Sequence, residues 1–144
     1  MEIEYLVIPT LSDDLEDIKK MAKWIIDNLG DATPLHLLQY QPAYKLKNLP
    51  PTPFLLLVKI MQELKTAGLK FIIPTFSLNF DEKELQGRED LSTMYCPFCN
   101  KPLIGFMYKY NKRSFFNNLN KYRCKYCNKE IPGILKAISK WQSS

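Results

Sequence analysis

Two stretches of the sequence share one frame: CPFCNKPLIG from Cys96 to Gly105, and CKYCNKEIPG from Cys124 to Gly133. Together they give the spacing Cx2C-x24-Cx2C, in which each Cys pair forms a tight knuckle that directs two thiolates at one ion. Four thiolates complete a tetrahedral site with no open position, which predicts structural zinc; iron in the same geometry is the rival metal. The predicted ligands are Cys96, Cys99, Cys124 and Cys127.

The segment between the knuckles predicts a small β ribbon over residues 95–133. The sequence predicts a strand at Ile104–Tyr110 and a turn-rich segment at Asn111–Asn120. It predicts a return strand at Lys121–Arg123. Such a ribbon lacks a core of its own, so the metal is expected to supply much of its folding free energy. Asn follows the second Cys of each knuckle, and Asn tolerates the left-handed backbone expected there.

Basic and aromatic side chains alternate along this ribbon. Basic groups can pair with phosphates and exposed aromatic rings can stack on bases, so nucleic acid is one candidate partner. The competing interpretation is that the rings pack on the knuckles or on a neighbouring domain and the bases keep the surface soluble. The candidate binding residues are Lys109, Lys112, Arg113, Lys121, Arg123 and Lys125.

Upstream of the ribbon, residues 1–75 predict the order β-α-β-α-β. Strands are expected at Ile3–Ile8, Leu35–Tyr40 and Leu69–Ile73, each followed within two residues by proline. Ser12 or Asp13 is expected to cap the first helix, which Gly30 ends. Thr52 is expected to cap the second helix, with Pro53 at its first position; that helix runs to Ala67 and Gly68 ends it.

Alternating strands and helices predict a parallel α/β sheet with right-handed crossovers. Successive crossovers in one direction place both helices on one face, and three strands cannot close a barrel. The other face and the edges are therefore expected to need a cover: the ribbon, a second copy of the chain, or a separate protein.

Composition sets the remaining boundaries. Residues 76–94 read as a linker and residues 134–144 as a short C-terminal helix or tail. Net charge is −3 over residues 1–87 and +8 over residues 88–144, which indicates two modules with different surfaces. No apolar run is long enough to span a membrane, and the acidic N-terminus is unlike a signal peptide, so a cytoplasmic protein is expected.

The sequence contains no recognisable catalytic constellation. No Ser-His-Asp set, glycine-rich phosphate loop or positioned carboxylate pair is present, and the lone His36 lies inside a predicted strand. The acidic residues from Asp13 to Asp17 suit the positive end of a helix better than acid–base chemistry. As a lone chain, the protein is expected to be non-catalytic.

The order of segments nonetheless resembles a known family. The run IEYLVIPTLSDDLEDIKKMAKWIIDNLGDATPLHLLQYQPAYKLKNLPPTP, followed by a helix, a strand and CPFC…CKYC, is similar to the C-terminal part of AmmeMemoRadiSam-system radical S-adenosylmethionine enzymes. These are related to pyruvate formate-lyase activating enzymes. The resemblance covers most of the chain and implies a partial (β/α) barrel fragment followed by the zinc ribbon.

The chain departs from that family where the cofactor would bind. It lacks the CxxxCxxC motif of the N-terminal half, so no iron–sulfur cluster or S-adenosylmethionine site is complete here. Thr10 stands where the family tends to have Gly, Gln41 where it tends to have His, and PTFSLNFDEKELQG replaces a glycine-containing loop.

Two functions follow from the resemblance and its departures. The chain is a subunit of a split radical S-adenosylmethionine enzyme, completing a partner that carries the cluster half, or it is a non-catalytic ribbon adaptor that binds RNA, a ribonucleoprotein or a protein. A homo-oligomer is the further way to cover the open sheet.

Overall fold

The computed structural model describes residues 1–75, 93–109 and 112–132, and shows a mixed α/β fold. The first region, residues 1–75, contains β1 (Ile3–Val7), α1 (Leu15–Leu29), β2 (Leu35–Gln39), a 3-10 turn (Tyr44–Leu46), α2 (Phe54–Thr66) and β3 (Ile72–Thr75). The ribbon, from Thr93 to Pro132, contains β4 (Met94–Tyr95), β5 (Pro102–Lys109), β6 (Lys112–Asn117), β7 (Leu119–Asn120) and β8 (Arg123–Cys124). β4 thus begins inside the stretch that composition assigned to the linker.

The first region forms a three-stranded parallel sheet in the order β1-β2-β3. Ile3 lies beside Leu35, and Leu35 beside Ile72, so these three side chains share one face. That face carries the main core, in which both helices pack on the sheet. Its buried members are Val7, Ile18, Ala22, Ile25, Leu35, Leu37, Leu57, Ile60, Met61, Leu64, Leu69 and Ile72.

Helix α1 forms because its apolar residues recur at helical spacing and bury Ile18, Ala22 and Ile25. Its cap is not the predicted Ser12 or Asp13. Asp14 accepts hydrogen bonds from the N–H groups at the start of the helix, because its extended backbone places the carboxylate below them. Gly30, with φ of 97°, ends the helix as predicted.

Thr52 does not cap α2, contrary to the prediction. Its hydroxyl donates to the carbonyl of Val7 and accepts from the N–H of Tyr40 at 2.9 Å, so it joins the ends of β1 and β2. Helix α2 instead begins after Pro53, without a side-chain cap. A buried polar side chain takes the partners that tertiary packing brings to it, which overrides its local capping preference.

Strand β3 is displaced from its predicted position at Leu69–Ile73 to Ile72–Thr75. The chain after α2 is first held by a hydrogen bond from the N–H of Lys70 to the carbonyl of Asp31, at 2.9 Å. Pro74 lies within the strand rather than ending it. This is tolerated because Pro74 occupies an edge strand, where a missing N–H breaks no ladder bond.

The ribbon also differs from its prediction. Residues 112–117, expected to belong to a turn-rich excursion, form β6, which pairs antiparallel with β5 from Ile104↔Asn117 to Lys109↔Lys112. Lys121, expected in the return strand, lies in a turn with φ of 55°, and the return strand is β8. Pairing with the long strand β5 determines the conformation of residues 112–117, because their local sequence carries no strong strand signal.

The ribbon packs on the first region through Phe71 and Ile73. Their side chains alternate with Ile72 and point to the sheet face opposite the helices, where Phe71 is 1% exposed. There they join a second cluster that surrounds the cysteines. Its other buried members are Cys96, Leu103, Leu119, Cys124 and Ile131. The ribbon therefore covers the β3 side of that face.

Two sequence predictions concern segments that lie wholly or mostly outside the described residues. The short C-terminal helix at 134–144 and all of the linker except Thr93 and Met94 lie outside the described residues. Within the described ranges, neither helix is long and apolar enough to cross a membrane.

Candidate metal centre

The four cysteines converge on one point in the ribbon. Their Sγ atoms all lie within 4.8 Å of one another. Two contacts cross between the knuckles: Cys96 Sγ lies 3.7 Å from Cys127 Sγ, and Cys99 Sγ lies 3.7 Å from Cys124 Sγ. All four cysteines are free of disulfides. The duplicated motifs are therefore two halves of one cluster.

The first knuckle (96–101) and the second knuckle (124–129) repeat the same hydrogen bonds. The N–H of Phe98 donates to Cys96 Sγ and that of Tyr126 to Cys124 Sγ, both at 3.4 Å. The N–H of Cys96 donates to the carbonyl of Lys101 at 2.8 Å, and the N–H of Cys124 donates to the carbonyl of Lys129 at 3.0 Å. These bonds close the two turns. Such N–H donors favour thiolates, because they bond to the charged form.

The Asn after each knuckle has the backbone that its sequence position predicted. Asn100 has φ of 56° and Asn128 has φ of 59°. Each Asn N–H returns to the carbonyl of the first Cys in its knuckle, at 2.9 Å and 2.8 Å. Asn is among the few residues that accept this left-handed conformation at low cost, so the shared Asn serves turn geometry.

The thiols differ in how readily they lose a proton. Burial raises the pKa of Cys96 to about 12, although the N–H groups of Cys99 and Phe98 act to lower it. Burial also acts to raise the pKa of Cys124, but the N–H groups of Cys127 and Tyr126 and the neighbouring thiols outweigh it and lower that pKa to about 7. A metal must displace these protons, so its affinity falls as pH falls.

The cysteine group has the dimensions of a metal site. A tetrahedral ion with metal–sulfur distances of about 2.3 Å places its sulfurs roughly 3.8 Å apart, close to the two cross-knuckle distances. Cys96 and Cys124 are buried and the other two are half-buried. Four protein thiolates would fill the shell, leaving no position for a substrate. The group could hold a metal ion and suits zinc.

The structure places the predicted basic residues in two groups. Lys109, Lys112 and Arg113 lie on the paired strands β5 and β6, whose side chains here are outside the described part. Arg123 Nη1 donates to the carbonyl of Asn128 at 3.0 Å, and Lys125 Nζ donates to the carbonyl of Asn117 at 3.0 Å.

The remaining predicted basic residue, Lys121, is exposed on the turn before β8. Arg123 also lies 3.8 Å from Glu130. Arg123 and Lys125 therefore brace the second knuckle as well as adding surface charge.

Exposed aromatic rings mark the surface of both knuckles. Phe98 is 44% exposed and Tyr126 is 56% exposed. Lys129 Nζ lies 5.0 Å from the centre of the Phe98 ring, so the knuckles touch through a cation–π contact. Phe98 and Lys129 were missed in the sequence analysis. Their signal was an aromatic residue before the second Cys in both copies of the frame.

A groove runs between α2 and the first knuckle. Lys65 stands at its wall, with Nζ 5.7 Å from the centre of the Tyr95 ring. Its lining residues include two lysines and no carboxylate among the residues that the structure describes. They are Met61, Lys65, Leu69, Lys70, Ile72, Thr93, Tyr95, Cys96, Pro97, Phe98 and Asn100.

The chain is similar to an uncharacterized protein of Methanocaldococcus jannaschii, with 30% identity over 135 residues. The match covers 94% of this chain and 38% of the relative, so this chain spans little more than a third of that relative's length. No protein-family model matches the chain, and no solved structure matches it. The larger part of the relative thus lies outside the segment shared with this chain.

Proposed function

We propose that this protein is a subunit that completes the partial barrel of a partner, as the C-terminal piece of a radical S-adenosylmethionine-like enzyme. A structural zinc ion at Cys96, Cys99, Cys124 and Cys127 holds its ribbon. The chain does no catalysis alone; the partner supplies the cluster-bearing half, and the assembly works in the cytoplasm.

The open sheet is the observation that carries this proposal. Three parallel strands with both helices on one face leave the β1 side of the other face without a cover among the described residues. Leu6 is 41% exposed there, whereas Phe71 and Ile73 at the β3 side pack on the ribbon. Parallel sheets are normally covered on both faces, so a sheet with one half-open face suits a protein that binds another.

The relative is longer than the segment it shares with this chain. A segment like this chain occurs in the Methanocaldococcus jannaschii protein together with a larger amount of other sequence. In the proposed complex, a second polypeptide carries a part comparable to that other sequence. The resemblance to radical S-adenosylmethionine enzymes supplies the class of that polypeptide: one with a CxxxCxxC motif.

The residues at the carboxyl ends of the strands favour a supporting role. Thr10 is β-branched and has φ of 68°, at the position where the family tends to have Gly. Gln41 stands where a cofactor-facing His is expected. The cysteine cluster has no open coordination position when filled, so the zinc would be structural and would take no part in chemistry.

Native mass spectrometry of the tagged chain, purified from cells that encode it, tests the proposal. The expected species is a stoichiometric complex with a polypeptide that carries CxxxCxxC, and adding this chain should raise that polypeptide's cleavage of S-adenosylmethionine. A well-folded monomer that leaves such cleavage unchanged would refute it. Metal analysis of the same sample should give one zinc per chain.

RNA binding by the ribbon is the second candidate function. The rings of Tyr122 and Tyr126, which are 47% and 56% exposed, lie close in sequence to Lys121, Arg123 and Lys125. The exposed ring of Phe98 contacts Lys129 of the second knuckle. Exposed rings can stack on bases while the lysines neutralise phosphates. The groove without carboxylates beside the first knuckle extends this surface.

A salt series separates this candidate from the first. RNA binding through the ribbon should weaken steeply between low and moderate salt, because counterions are released on binding. Replacing Lys112, Arg113, Lys121 and Arg123 with Ala should remove most of the affinity, whereas replacing Lys20 and Lys23 on α1 should not. Absence of binding at low salt, or affinity unchanged in the ribbon variant, would exclude it.

A further inference from the structure

The outer edge of β1 is the free edge of the parallel sheet. Ile3 donates its N–H to the carbonyl of Pro34 at 3.0 Å, so the main-chain groups of Ile3, Tyr5 and Val7 face β2. In a strand these directions alternate, so those of Glu4 and Leu6 face outward. Within the described residues, no strand pairs with that side.

Ser12 closes the carboxyl end of this edge. Its hydroxyl donates to the carbonyl of Leu6 and accepts from the N–H of Ile8, both at 2.8 Å, as a neighbouring strand would do. The N–H groups of Glu4 and Leu6 and the carbonyl of Glu4 are left without a bond to the described residues. The stretch that can pair is therefore short, from Glu2 to Leu6.

The opposite edge is closed. Leu35 donates to the carbonyl of Phe71 at 3.0 Å, so Phe71 and Ile73 face β2, and Ile72 and Pro74 face outward. Pro74 has no N–H to offer a further strand. The ribbon also lies against this side, where β4 contacts β3. A strand that extends the sheet must therefore add at β1.

The side chains of β1 indicate what kind of strand fits. On the open face, Glu4 carries a carboxylate and Leu6 an exposed apolar group. Glu4 forms no ion pair with the described residues, whereas Glu2 lies 3.1 Å from His36. If β1 paired with β1 of a second copy, Glu2 and Glu4 of one copy would lie beside Glu2 and Glu4 of the other. Like charges on adjacent strands destabilise the pairing.

We infer that the free edge of β1, from Glu2 to Leu6, binds a strand of a different polypeptide that carries a Lys or Arg beside Glu4 and an aliphatic residue beside Leu6. The inference rests on the proposed function and specifies its interface. Main-chain bonds to Glu4 and Leu6 supply affinity, and the alternating side chains supply specificity. The aliphatic residue of the added strand would cover Leu6.

Site-specific photo-crosslinking in the full chain tests this edge. A benzophenone amino acid replaces Leu6 in one variant and Leu55, which is apolar and 60% exposed on α2, in a matched control. Leu6 should give at least a tenfold higher yield of crosslink to a second polypeptide than Leu55. The crosslinked peptide should alternate aliphatic and basic residues. Equal yields, a crosslink within the same chain, or one to a second copy would overturn the inference.

Two substitutions at Glu4 separate the edge from the complex itself. Glu4→Pro removes an outward N–H without touching the β1–β2 ladder, so the chain should keep its melting temperature within a few degrees but lose the partner. Glu4→Lys should weaken binding at least tenfold, and Glu4→Gln less. If the unaltered chain forms the stoichiometric complex and Glu4→Pro forms it equally well, the edge assignment fails while the proposed function stands. If the unaltered chain forms no complex, the proposed function fails.

Discussion

The two regions of the molecule are held together by different means. In residues 1–75, twelve buried apolar residues from the sheet, both helices and the segment after α2 form one core. Around the cysteines, the buried cluster has six members: three apolar ribbon residues, two cysteines, and Phe71, which immediately precedes β3. The first region can therefore fold by burial of apolar surface, whereas the ribbon buries little apolar surface of its own and is expected to depend on a metal ion and on the first region.

This difference assigns a role to each region. A sheet with its own core and one free edge can present a stable surface to a partner. The ribbon, which packs on Phe71 and Ile73, covers the β3 side of the face opposite the helices and contacts β3 itself. The metal would then act on function indirectly, by keeping one edge closed and leaving only β1 available.

The largest expected effect comes from the cysteines. Cys124→Ser should lower the affinity for zinc by more than about 100-fold, because structural sites owe roughly 10–16 kcal/mol to their full ligand set. The ribbon should unfold while α1 and α2 keep their circular dichroism signal. Metal titration and circular dichroism measure both effects, with Lys101→Ser, at an exposed position of the first knuckle, as the control. A Cys124→Ser chain that binds one metal with full affinity would refute the four-thiolate site.

Phe71→Ala tests the junction between the regions. Phe71 is 1% exposed and is the only first-region member of the buried cysteine cluster among the described residues, so its loss leaves a cavity there. The expected destabilisation is about 3–5 kcal/mol, measured by denaturant unfolding. A chelator should also remove the metal from the Phe71→Ala chain more readily than from the unaltered chain. Unchanged metal release would mean that the ribbon folds independently of the sheet.

A matched pair on α2 tests the core of the first region. Leu57 is fully buried and Leu55, two residues away, is 60% exposed. Leu57→Ala should cost about 2–5 kcal/mol of unfolding free energy, and Leu55→Ala less than about 0.5 kcal/mol. Neither should change the affinity of the site for metal. Equal losses in the two variants would contradict the assigned orientation of α2.

The smallest effect is expected at Thr10. A left-handed backbone costs an ordinary residue about 1–2 kcal/mol, and Gly avoids this but loses about 0.5–1 kcal/mol of chain entropy. Thr10→Gly should thus stabilise the chain by about 0.5–1 kcal/mol in thermal unfolding. The neighbouring Leu11→Gly, where φ is not positive, should destabilise it instead. The same sign for both variants would show that Thr10 is not strained.

Much of this architecture follows from local patterns in the sequence. The order of strands and helices in residues 1–75 and the parallel sheet followed from apolar periodicity and from Gly30 and Gly68. The meeting of the four cysteines followed from ligand spacing, and the left-handed Asn100 and Asn128 from the duplicated frame. The helices and the two knuckles are each determined by neighbours in sequence, and the shared ligand type brings the two knuckles together.

The predictions of caps and strands were wrong where contacts between residues distant in sequence determine the structure. Ser12 and Thr52 look like helix caps, but the ends of β1 and β2 come close enough to take their hydroxyls. Strand β6 depends on pairing with β5, and β3 could include Pro74 only because it lies at an edge. The sequence predicted open edges of the sheet but not that β1 forms the free edge, because that depends on which strand lies outermost.

Hydrogen exchange of the whole chain, with and without its metal, tests most directly the claim that the two regions are held by different means. After a chelator removes the metal, amides of the ribbon, Thr93–Pro132, should lose protection by several orders of magnitude. Those of α1 should keep theirs. Simultaneous loss of protection in both regions, or unchanged protection in the ribbon, would contradict the account.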